Sequence, residues 1–456
     1  MGNLDLRHKR VLVVGLGRSG VAATHFLTRC GARVTVTDRA PAESLTESIK
    51  ALEGCEFRLK CGGHDADDFE RADCVVLSPG VPHTLPMLEP AWAGGTPVIG
   101  EMELAAMYVD EPMIAVTGTN GKTTTTELVG GMLRCSGKKV FVGGNIGAPL
   151  TGYVNNERDR ADVVVVETSS FQLDTTIDFR PDTGVLLNIS DDHLDRYTSV
   201  DAYAESKWRL FKNQQMSDSA VLNAMDKTIA KMLPTHPLAA RRLIFSDQSV
   251  IDGACISKEC IRVFEFGRQV ATYSLAGSRL IGGHNRENIA AACLAARAHG
   301  ATDEGIQKAI DSYQGLPHRL EPVATVGGVT FVNDSKATNV DAVKRALECF
   351  DQRIVLIMGG QNKDGNFDQL KALVNRRVKV LVVMGEARDE IVTALTGEPE
   401  QGVREVASMR EAVEAAYDAA TAGEVVLLSP ACASFDMFVN YAQRGSRFKD
   451  CVERLG

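Results

Sequence analysis

Residues 113–126 read M-I-A-V-T-G-T-N-G-K-T-T-T-T and constrain the fold more than any other part of the sequence. The apolar residues 114–116 predict a short buried strand, and Thr123 lies in the first turn of a predicted helix. A glycine loop between strand and helix presents backbone N–H groups and the positive end of the helix dipole to an anion. Lys122 can reach terminal phosphates, and the Thr123 hydroxyl can bind Mg²⁺. The segment therefore predicts a nucleotide-phosphate site.

This loop departs from the common pattern G-x-x-x-x-G-K-[ST] at its first position. Val116 stands where the pattern has glycine, and the first glycine of the loop is Gly118. The alternative interpretation is a glycine turn followed by an exposed lysine. The order strand, loop and helix favours the phosphate site.

A second glycine loop lies near the N-terminus. Residues 11–14 predict a strand that leads into G-L-G-R-S-G at residues 15–20, and the next predicted strand ends at Asp38. This context is typical of a dinucleotide site, with the acid near the ribose. A third strand ends in S-P-G at residues 78–80. The glycines leave three interpretations open: NAD, a uridine nucleotide, or tight turns alone.

Acidic residues follow two predicted strands of the central region. Residues 162–166 predict a fully buried strand that ends in Glu167, which is well placed to hold Mg²⁺ directly or through water. The strand predicted at 184–189 leads to D-D-H-L-D-R-Y at residues 191–197, which suits a second cation or a phosphate. Solvated strand ends are the alternative for both.

Two helices of this region carry weaker signals. Residues 201–213 predict a helix whose spacing places Lys207 on its flank, as a surface residue. Residues 281–299 predict an alanine-rich helix, in which Asn285 and Asn288 share one face of the first turn. Those two amides either cap the helix or contact a nucleotide.

The last third of the chain alternates predicted strands and helices, which indicates another parallel, doubly wound sheet. A hairpin is predicted across Gly327 and Gly328, and helices are predicted near 367–375, 386–395 and 408–421. Lys363 and the Ser434 region follow strand ends and could receive an anionic amino acid. Cys432 is not expected to be a nucleophile, because no histidine is near it in the sequence.

These patterns predict an α/β protein with three domains. The N-terminal domain (residues 1–101) is Rossmann-like, the central domain (102–316) is P-loop ATPase-like with a mostly parallel sheet, and the C-terminal domain (317–456) is Rossmann-like. A formal net charge of -9 gives no reason to expect nucleic acid as a partner. No signal peptide or membrane insertion is expected, and the 11 scattered cysteines indicate reduced thiols in the cytoplasm.

Eight motifs taken together resemble the Mur ligase family. They are G-T-N-G-K-T-T, G-G-N-I-G, E-T-S-S-F-Q-L, D-D-H-L-D-R-Y, G-H-N-R-E-N, L-P-H-R, N-D-S-K-A-T-N and L-S-P-A-C-A-S-F-D-M-F. They lie in the second and third predicted domains, and with G-L-G-R-S-G at residues 15–20 the resemblance covers all three domains in the family's order. G-L-G-R-S-G and D-S-K-A-T-N favour the member that adds D-glutamate to UDP-N-acetylmuramoyl-L-alanine.

The resemblance implies an ATP-dependent amide ligase of peptidoglycan precursor synthesis that works through an acyl phosphate. It implies ATP, two Mg²⁺ ions, a carbamylated lysine at Lys207, and a monomer. The catalytic residues would be Lys122, His193 and Lys207, and the metal ligands Thr123, Glu167, His193 and Lys207.

The resemblance also assigns binding residues in each domain. ATP would be held by Gly118, Thr119, Asn120, Gly121, Lys122, Thr123, Thr124, Asn288, Arg319 and Asp334. The UDP-sugar would be held by Gly15, Gly17, Arg18, Ser19, Asp38, Arg39, Ser78, Gly80 and Asn145. D-glutamate would be surrounded by Lys336, Thr338, Lys363, Ser434 and Phe435. Arg18 and Ser19 stand where other members carry smaller or less polar residues, and Tyr441 stands where an aromatic residue often lines the amino-acid site.

Three other functions compete with this one. A nicotinamide-dependent oxidoreductase would explain residues 15–38 but neither the second loop nor the last domain. A nucleotide-driven switch would need Lys122 but no sugar nucleotide or amino acid. A folylpolyglutamate synthase does not suit the N-terminal glycine-loop domain.

Overall fold

The computed structural model describes residues 5–156, 159–192, 196–363, 365–395 and 402–455. The chain forms two compact units. The first consists of Met1–Asn188, Tyr203–Ser274 and Ile289–Ile310, and the second of Ile189–Ala202, Leu275–Asn288 and Asp311–Gly456. Two sheets belong to the first unit and one to the second. Three sheets agree with three domains, whereas the exact boundaries given above stay predictions.

The N-terminal sheet has five parallel strands in the order β3-β2-β1-β4-β5. From β1 the chain adds β2 and β3 on one side, and then crosses to add β4 and β5 on the other side. The strand order therefore reverses between β1 and β4, where such sheets bind ligands. The Rossmann-like prediction is confirmed. The elements are β1 (Arg10–Val14), α1 (Arg18–Arg29), β2 (Arg33–Asp38), α2 (Thr46–Lys50), β3 (Phe57–Cys61), α3 (Ala66–Arg71), β4 (Cys74–Leu77), α4 (Glu89–Ala93), β5 (Val98–Gly100) and α5 (Glu101–Ala106).

The central sheet has nine strands in the order β14-β13-β12-β11-β10-β9-β6-β8-β7. The β12–β13 and β13–β14 pairs are antiparallel and the other pairs are parallel, so the mostly parallel sheet is confirmed. Its elements are β6 (Met113–Thr117), α6 (Lys122–Cys135), β7 (Val140–Gly144), α7 (Leu150–Val154), β8 (Val163–Glu167), α8 (Ser170–Asp174), β9 (Thr183–Leu186), α9 (Val200–Trp208), β10 (Ser219–Asn223), α10 (Lys227–Met232), β11 (Arg241–Ser246), β12 (Gly253–Ile256), β13 (Cys260–Glu265), β14 (Arg268–Ser274), α11 (Gly283–Ala298) and α12 (Asp303–Ser312).

The C-terminal sheet has six strands in the order β15-β16-β20-β17-β18-β19. The predicted hairpin across Gly327 and Gly328 joins β15 to β16, and hydrophobic clusters cover both faces of the sheet, as in a doubly wound fold. The elements are β15 (Glu321–Val326), β16 (Val329–Asn333), α13 (Val340–Leu347), β17 (Ile354–Gly359), α14 (Lys371–Arg377), β18 (Val378–Met384), α15 (Arg388–Leu395), β19 (Gly402–Glu405), α16 (Met409–Ala419), β20 (Val425–Leu428) and α17 (Tyr441–Glu453).

Three predicted elements end or begin elsewhere. The strand predicted to reach residue 189 stops at Leu186, because its pairing with β6 ends at Thr117. The helix predicted to reach residue 213 stops at Trp208 and continues as a 3₁₀ turn, Arg209–Phe211. The helix predicted near 367 begins at Lys371 after another 3₁₀ turn. Among the described residues, no helix combines the length and apolar character needed to cross a membrane.

Candidate active site

The loop between β6 and α6 is built from glycines in backbone conformations that side chains rarely adopt. The φ angle is +152° at Gly118 and +86° at Gly121. The loop is fixed to the segment after β9: the Thr119 N–H donates to Asn188 O at 2.9 Å, and the Asn120 N–H donates to Asn188 Oδ1 at 2.8 Å. The loop is therefore held in shape by its neighbours, as a preformed phosphate site requires.

Lys122 is the first residue of α6, at the positive end of the helix dipole. Its Nζ donates to Gly118 O and Thr119 O, both at 2.8 Å. The structure thus places the ammonium against the loop, where a bound phosphate would meet both the loop N–H groups and the lysine.

Glu167 ends β8 beside the start of α6 and is only 2% exposed. Its Oε2 accepts from Thr123 Oγ1 at 2.7 Å, and its Oε1 accepts from Asn145 Nδ2 at 2.8 Å. A buried carboxylate beside a hydroxyl supplies the oxygen ligands that Mg²⁺ prefers. Thr123 and Glu167 therefore fit as ligands that would hold a magnesium ion at the phosphate loop.

The structure says less about the other predicted metal ligands. His193 lies outside the described residues. Within the part of the chain that the structure describes, no group of three or more His, Cys, Asp or Glu side chains is arranged to hold a metal ion. Thr123 and Glu167 are therefore the predicted metal ligands that the described residues bring into direct contact.

Lys207 corrects the surface position that its helical spacing predicted. It is 1% exposed, its Nζ donates to Gly118 O at 3.0 Å, and it lies 4.5 Å from the ring centroid of Tyr203. The pattern failed because Tyr203, Ala204, Ser206 and Trp208 are buried too, so the exposed face of α9 is limited to residues such as Asp201 and Glu205. The structure brings Lys207 to the phosphate loop, a position that its sequence neighbours did not reveal.

The first glycine loop is braced by two of the predicted substrate residues. Asp38 accepts from the Leu16 N–H at 2.7 Å and from the Ala40 N–H at 2.8 Å. Ser78 donates its hydroxyl to Gly15 O at 2.7 Å. Asp38 and Ser78 therefore fix the loop at the reversal point of the sheet.

Arg18 and Asn145, both predicted to hold a UDP-sugar, are connected through one turn of the chain. The guanidinium of Arg18 donates to Gly147 O, in the turn between β7 and α7 that also carries Asn145. Arg39 and Gly80 are exposed, and Ser19 is half-buried. Since Asn145 also donates to Glu167, this turn connects the N-terminal glycine loop with the carboxylate beside the phosphate loop.

In the second unit, Asp334 is a buried carboxyl group after β16. Its Oδ1 accepts from the Leu320 N–H at 3.1 Å and its Oδ2 from Ser429 Oγ at 2.9 Å. Burial raises the pKa of Asp334 to about 7. Arg319 precedes Leu320, so both predicted adenosine residues of this segment lie near one strand end.

Asn285 and Asn288 are buried at the start of α11. Asn288 Nδ2 donates to Asn285 Oδ1 at 3.1 Å, and Asn285 Nδ2 donates to Ile281 O at 2.8 Å. The two amides support each other and the chain that enters the helix.

A cavity of about 240 Å³ in the second unit contains part of the predicted amino-acid site. Thr338 and Lys363 line it, together with Asp192 and Asn339, whose Nδ2 donates to Asp192 Oδ2 at 3.2 Å. The described lining does not include Lys336, Ser434 or Phe435.

Lys336 instead meets an aromatic side chain. Its Nζ lies 3.2 Å from Tyr441 Oη and 4.7 Å from the ring centroid. Ser434 is buried, whereas Phe435 is 66% exposed. The predicted amino-acid residues are therefore placed in two groups, with Thr338 and Lys363 in one and Lys336 in the other.

Arg444 is the site residue that sequence reasoning missed. It is 1% exposed and donates to Ser335 Oγ at 3.0 Å, Ser335 O at 2.7 Å and Cys432 O at 3.0 Å. Burial lowers the pKa of Arg444 to about 10. Burial also raises the pKa of the Cys432 thiol to about 12, which agrees with its rejection as a nucleophile. Nothing in the local sequence pattern distinguishes this arginine from its exposed neighbour Arg447.

Three protein families match consecutive parts of the chain. Residues 9–100 match the Mur ligase MurD-like N-terminal domain, residues 116–296 the Mur ligase middle domain, and residues 318–432 the Mur ligase glutamate ligase domain. The order agrees with the three sheets.

Curated relatives match along their whole length. A UDP-N-acetylmuramoylalanine–D-glutamate ligase of Desulfosudis oleivorans is 47% identical, covering 100% of this chain and 98% of the relative. One of Desulfatibacillum aliphaticivorans is 46% identical, covering 99% of this chain and 100% of the relative.

Solved structures share the fold at lower identity. A pseudomurein peptide ligase type C from Methanothermus fervidus has a TM-score of 0.63 at 19% identity, covering 98% of this chain and 100% of that chain. The UDP-N-acetylmuramate-alanine ligase MurC from Thermotoga maritima has a TM-score of 0.60 at 18% identity, with coverage of 98% and 100%. With three matching domains and full-length relatives above 40% identity, this chain belongs to the Mur ligase family.

Proposed function

We propose that this chain is an ATP-dependent ligase that joins D-glutamate to UDP-N-acetylmuramoyl-L-alanine in peptidoglycan precursor synthesis. The observation that carries the proposal is the group of Lys122, Thr123 and Glu167 at the phosphate loop, in a chain whose full-length relatives are named for this reaction. The 11 free cysteines support a cytoplasmic location.

The phosphate loop would serve the first chemical step. The alanyl carboxylate attacks the γ-phosphorus of ATP, the bond to ADP breaks, and an acyl phosphate forms. Lys122 and the loop N–H groups stabilise the charge on the transferring phosphoryl group and hold it in line. The amine of D-glutamate then attacks the acyl carbon, and phosphate leaves with formation of the amide.

Thr123 and Glu167 would hold magnesium, and His193 stays a predicted ligand. A bound magnesium ion would neutralise charge on the β- and γ-phosphates during transfer. We propose two ions, because the residues predicted as ligands extend from Thr123 to Lys207 across the phosphate loop.

Lys207 is proposed to carry a carbamate. Its neutral amine would attack CO₂, forming an N–C bond and releasing one proton, so that a buried cation becomes an anion beside the loop. This proposal is supported by its burial and its position 3.0 Å from Gly118 O. Incubation with ¹³C-labelled bicarbonate should give a carbamate carbon resonance that Lys207→Ala lacks; equal spectra would contradict it.

The remaining assignments follow the three sheets. The N-terminal loop residues and Asn145 would hold the UDP-sugar, and Asn288, Arg319 and Asp334 would contact the adenosine part of ATP. Lys336, Thr338, Lys363, Ser434 and Phe435 would surround D-glutamate.

The decisive experiment measures phosphate release from ATP with each acceptor omitted in turn. We expect release to require both UDP-N-acetylmuramoyl-L-alanine and D-glutamate, and to accompany formation of an amide product. Equal ATP consumption without either acceptor would contradict the proposal. Tight NADH binding in a fluorescence titration would instead support the oxidoreductase.

A further inference from the structure

We propose that Arg18 is a positioning residue through which the N-terminal glycine loop holds the metal-binding carboxylate Glu167. The inference rests on the proposed function, in which this loop binds a sugar nucleotide and Glu167 binds magnesium. Arg18 is the first residue of α1 and donates to Gly147 O in the turn after β7. Both ends of this contact belong to the first unit.

The turn after β7 contacts Glu167 directly. The Asn145 N–H donates to Glu167 O at 2.9 Å, and Asn145 Nδ2 donates to Glu167 Oε1 at 2.8 Å. At Gly144, where φ is +98°, an added Cβ would lie 2.5 Å from Glu167 O. A shift of this turn would therefore move the amide that orients the carboxylate.

The position of Arg18 is electrostatically unfavourable for the helix itself. A cation at a helix N-terminus opposes the positive end of the dipole. Among the described residues, no carboxylate forms an ion pair with Arg18, and its side chain is exposed. Helix stability does not account for an arginine here, whereas its contact with Gly147 does.

Arg29 at the other end of α1 provides the contrast. It lies at the C-terminal end of the helix, where a cation is favourable, and it donates to Val154 O at 3.2 Å and to Asn155 O. Arg29 therefore also fastens α1 to the central domain, but at the end of α7 and away from the Gly143–Gly147 turn.

The guanidinium can serve two acceptors at once, because it has five N–H donors. A diphosphate at the start of α1 would share Arg18 with Gly147 O and hold the side chain in place. Binding of a uridine diphosphate and binding of metal with nucleotide should then favour each other by the same factor.

The test measures manganese binding to the intact protein. Free Mn²⁺ is followed by electron paramagnetic resonance in the presence of a non-hydrolysable ATP analogue, with and without UDP. Arg18→Met should weaken Mn²⁺ binding by about fivefold or more and abolish its tightening by UDP, since allosteric coupling of this kind is typically about 5- to 150-fold. Arg18→Lys should restore part of the loss.

Two matched variants complete the design. Asn145→Ala removes the next link and should weaken Mn²⁺ binding as Arg18→Met does. Arg29→Met removes an arginine contact from the same helix and should leave Mn²⁺ binding unchanged within about twofold, even if thermal stability falls.

Unchanged Mn²⁺ binding in Arg18→Met would overturn the inference, and so would an equal loss in Arg29→Met, which would indicate general docking of α1. The proposed function fails separately, if wild-type protein consumes ATP without a requirement for the two acceptors. The Mn²⁺ ratios between variants do not depend on that requirement.

Discussion

The two units place polar chemistry at the ends of parallel strands by different means. In the first unit, the loop after β6 is made of glycines and backbone N–H groups, with Gly118 and Gly121 at positive φ. In the second unit, the turns after β16 and β20 are held together by one buried side chain, Arg444. The first site is specified by local backbone geometry, and the second by contacts between residues about 100 positions apart.

This difference determines which substitutions each site tolerates. A backbone loop depends on a few positions that only glycine suits, and on the two lysines beside it, Lys122 and Lys207. A side-chain network in a dry interior depends on every donor, since a buried carbonyl without a partner costs about 1–3 kcal/mol. Substitutions in the second unit should therefore act first on stability, and those in the phosphate loop first on activity.

The largest effect is expected for Arg444→Met. The variant fills a similar volume but leaves the Ser335 and Cys432 carbonyls without their donor, so the free energy of unfolding should fall by about 4 kcal/mol or more. Urea unfolding at equilibrium measures this. Arg447→Met, three residues further along α17 and exposed, is the control and should change stability by less than about 0.5 kcal/mol. A similar loss in both variants would show that the network is not what stabilises these turns.

The second effect concerns pH and Asp334. Because its pKa of about 7 in the folded chain lies above the unfolded value of about 3.9, its contribution to stability is complete below pH 4 and is lost as the pH rises through 7. The difference corresponds to at most about 4 kcal/mol.

Asp334→Asn mimics the protonated acid, since its Oδ1 can accept from the Leu320 N–H and its Nδ2 can donate to Ser429 Oγ. The stability of the variant relative to the wild type should rise between pH 4 and 8, as measured by urea unfolding at each pH. A constant difference across that range would contradict the raised pKa and weaken the contrast between the units.

In the phosphate loop, Lys122→Ala should lower turnover by at least about 100-fold, the scale of losing one transition-state donor. Its unfolding free energy should change little, because the lysine is only half-buried and the loop is also held through Asn188. Phosphate release and thermal unfolding measure the two effects, with exposed Lys258→Ala as the control. Near-normal turnover would refute the role of Lys122.

The sequence predicted those features that depend on neighbouring residues. Both glycine loops, the strand that ends in Glu167 and the hairpin at Gly327 were found, because glycine, buried apolar runs and strand ends act locally. The burial of Lys207 depends on how α9 is covered by other elements, and its helical spacing gave the opposite prediction.

The role of Arg444 is even harder to predict from the sequence than the burial of Lys207. Its partners come from residues 335 and 432–433, so their convergence is a property of the folded sheet and not of any sequence window. The site assignments taken from the family resemblance stay predictions.

The smallest effect separates two glycines of the N-terminal loop. At Gly20 an added Cβ would lie 2.0 Å from Gly15 O, so Gly20→Ala should force α1 away from β1 and cost about 1–3 kcal/mol. At Gly17, where φ is -75°, a Cβ would meet no atom within 4 Å, and Gly17→Ala should change stability by less than about 0.5 kcal/mol. Thermal and urea unfolding of the pair measure the difference. If both variants are as stable as the wild type, the close approach of helix and strand is not what fixes this loop, and side chains such as Asp38 and Ser78 must do so. The N-terminal loop would then resemble the side-chain network of the second unit more than the phosphate loop beside it.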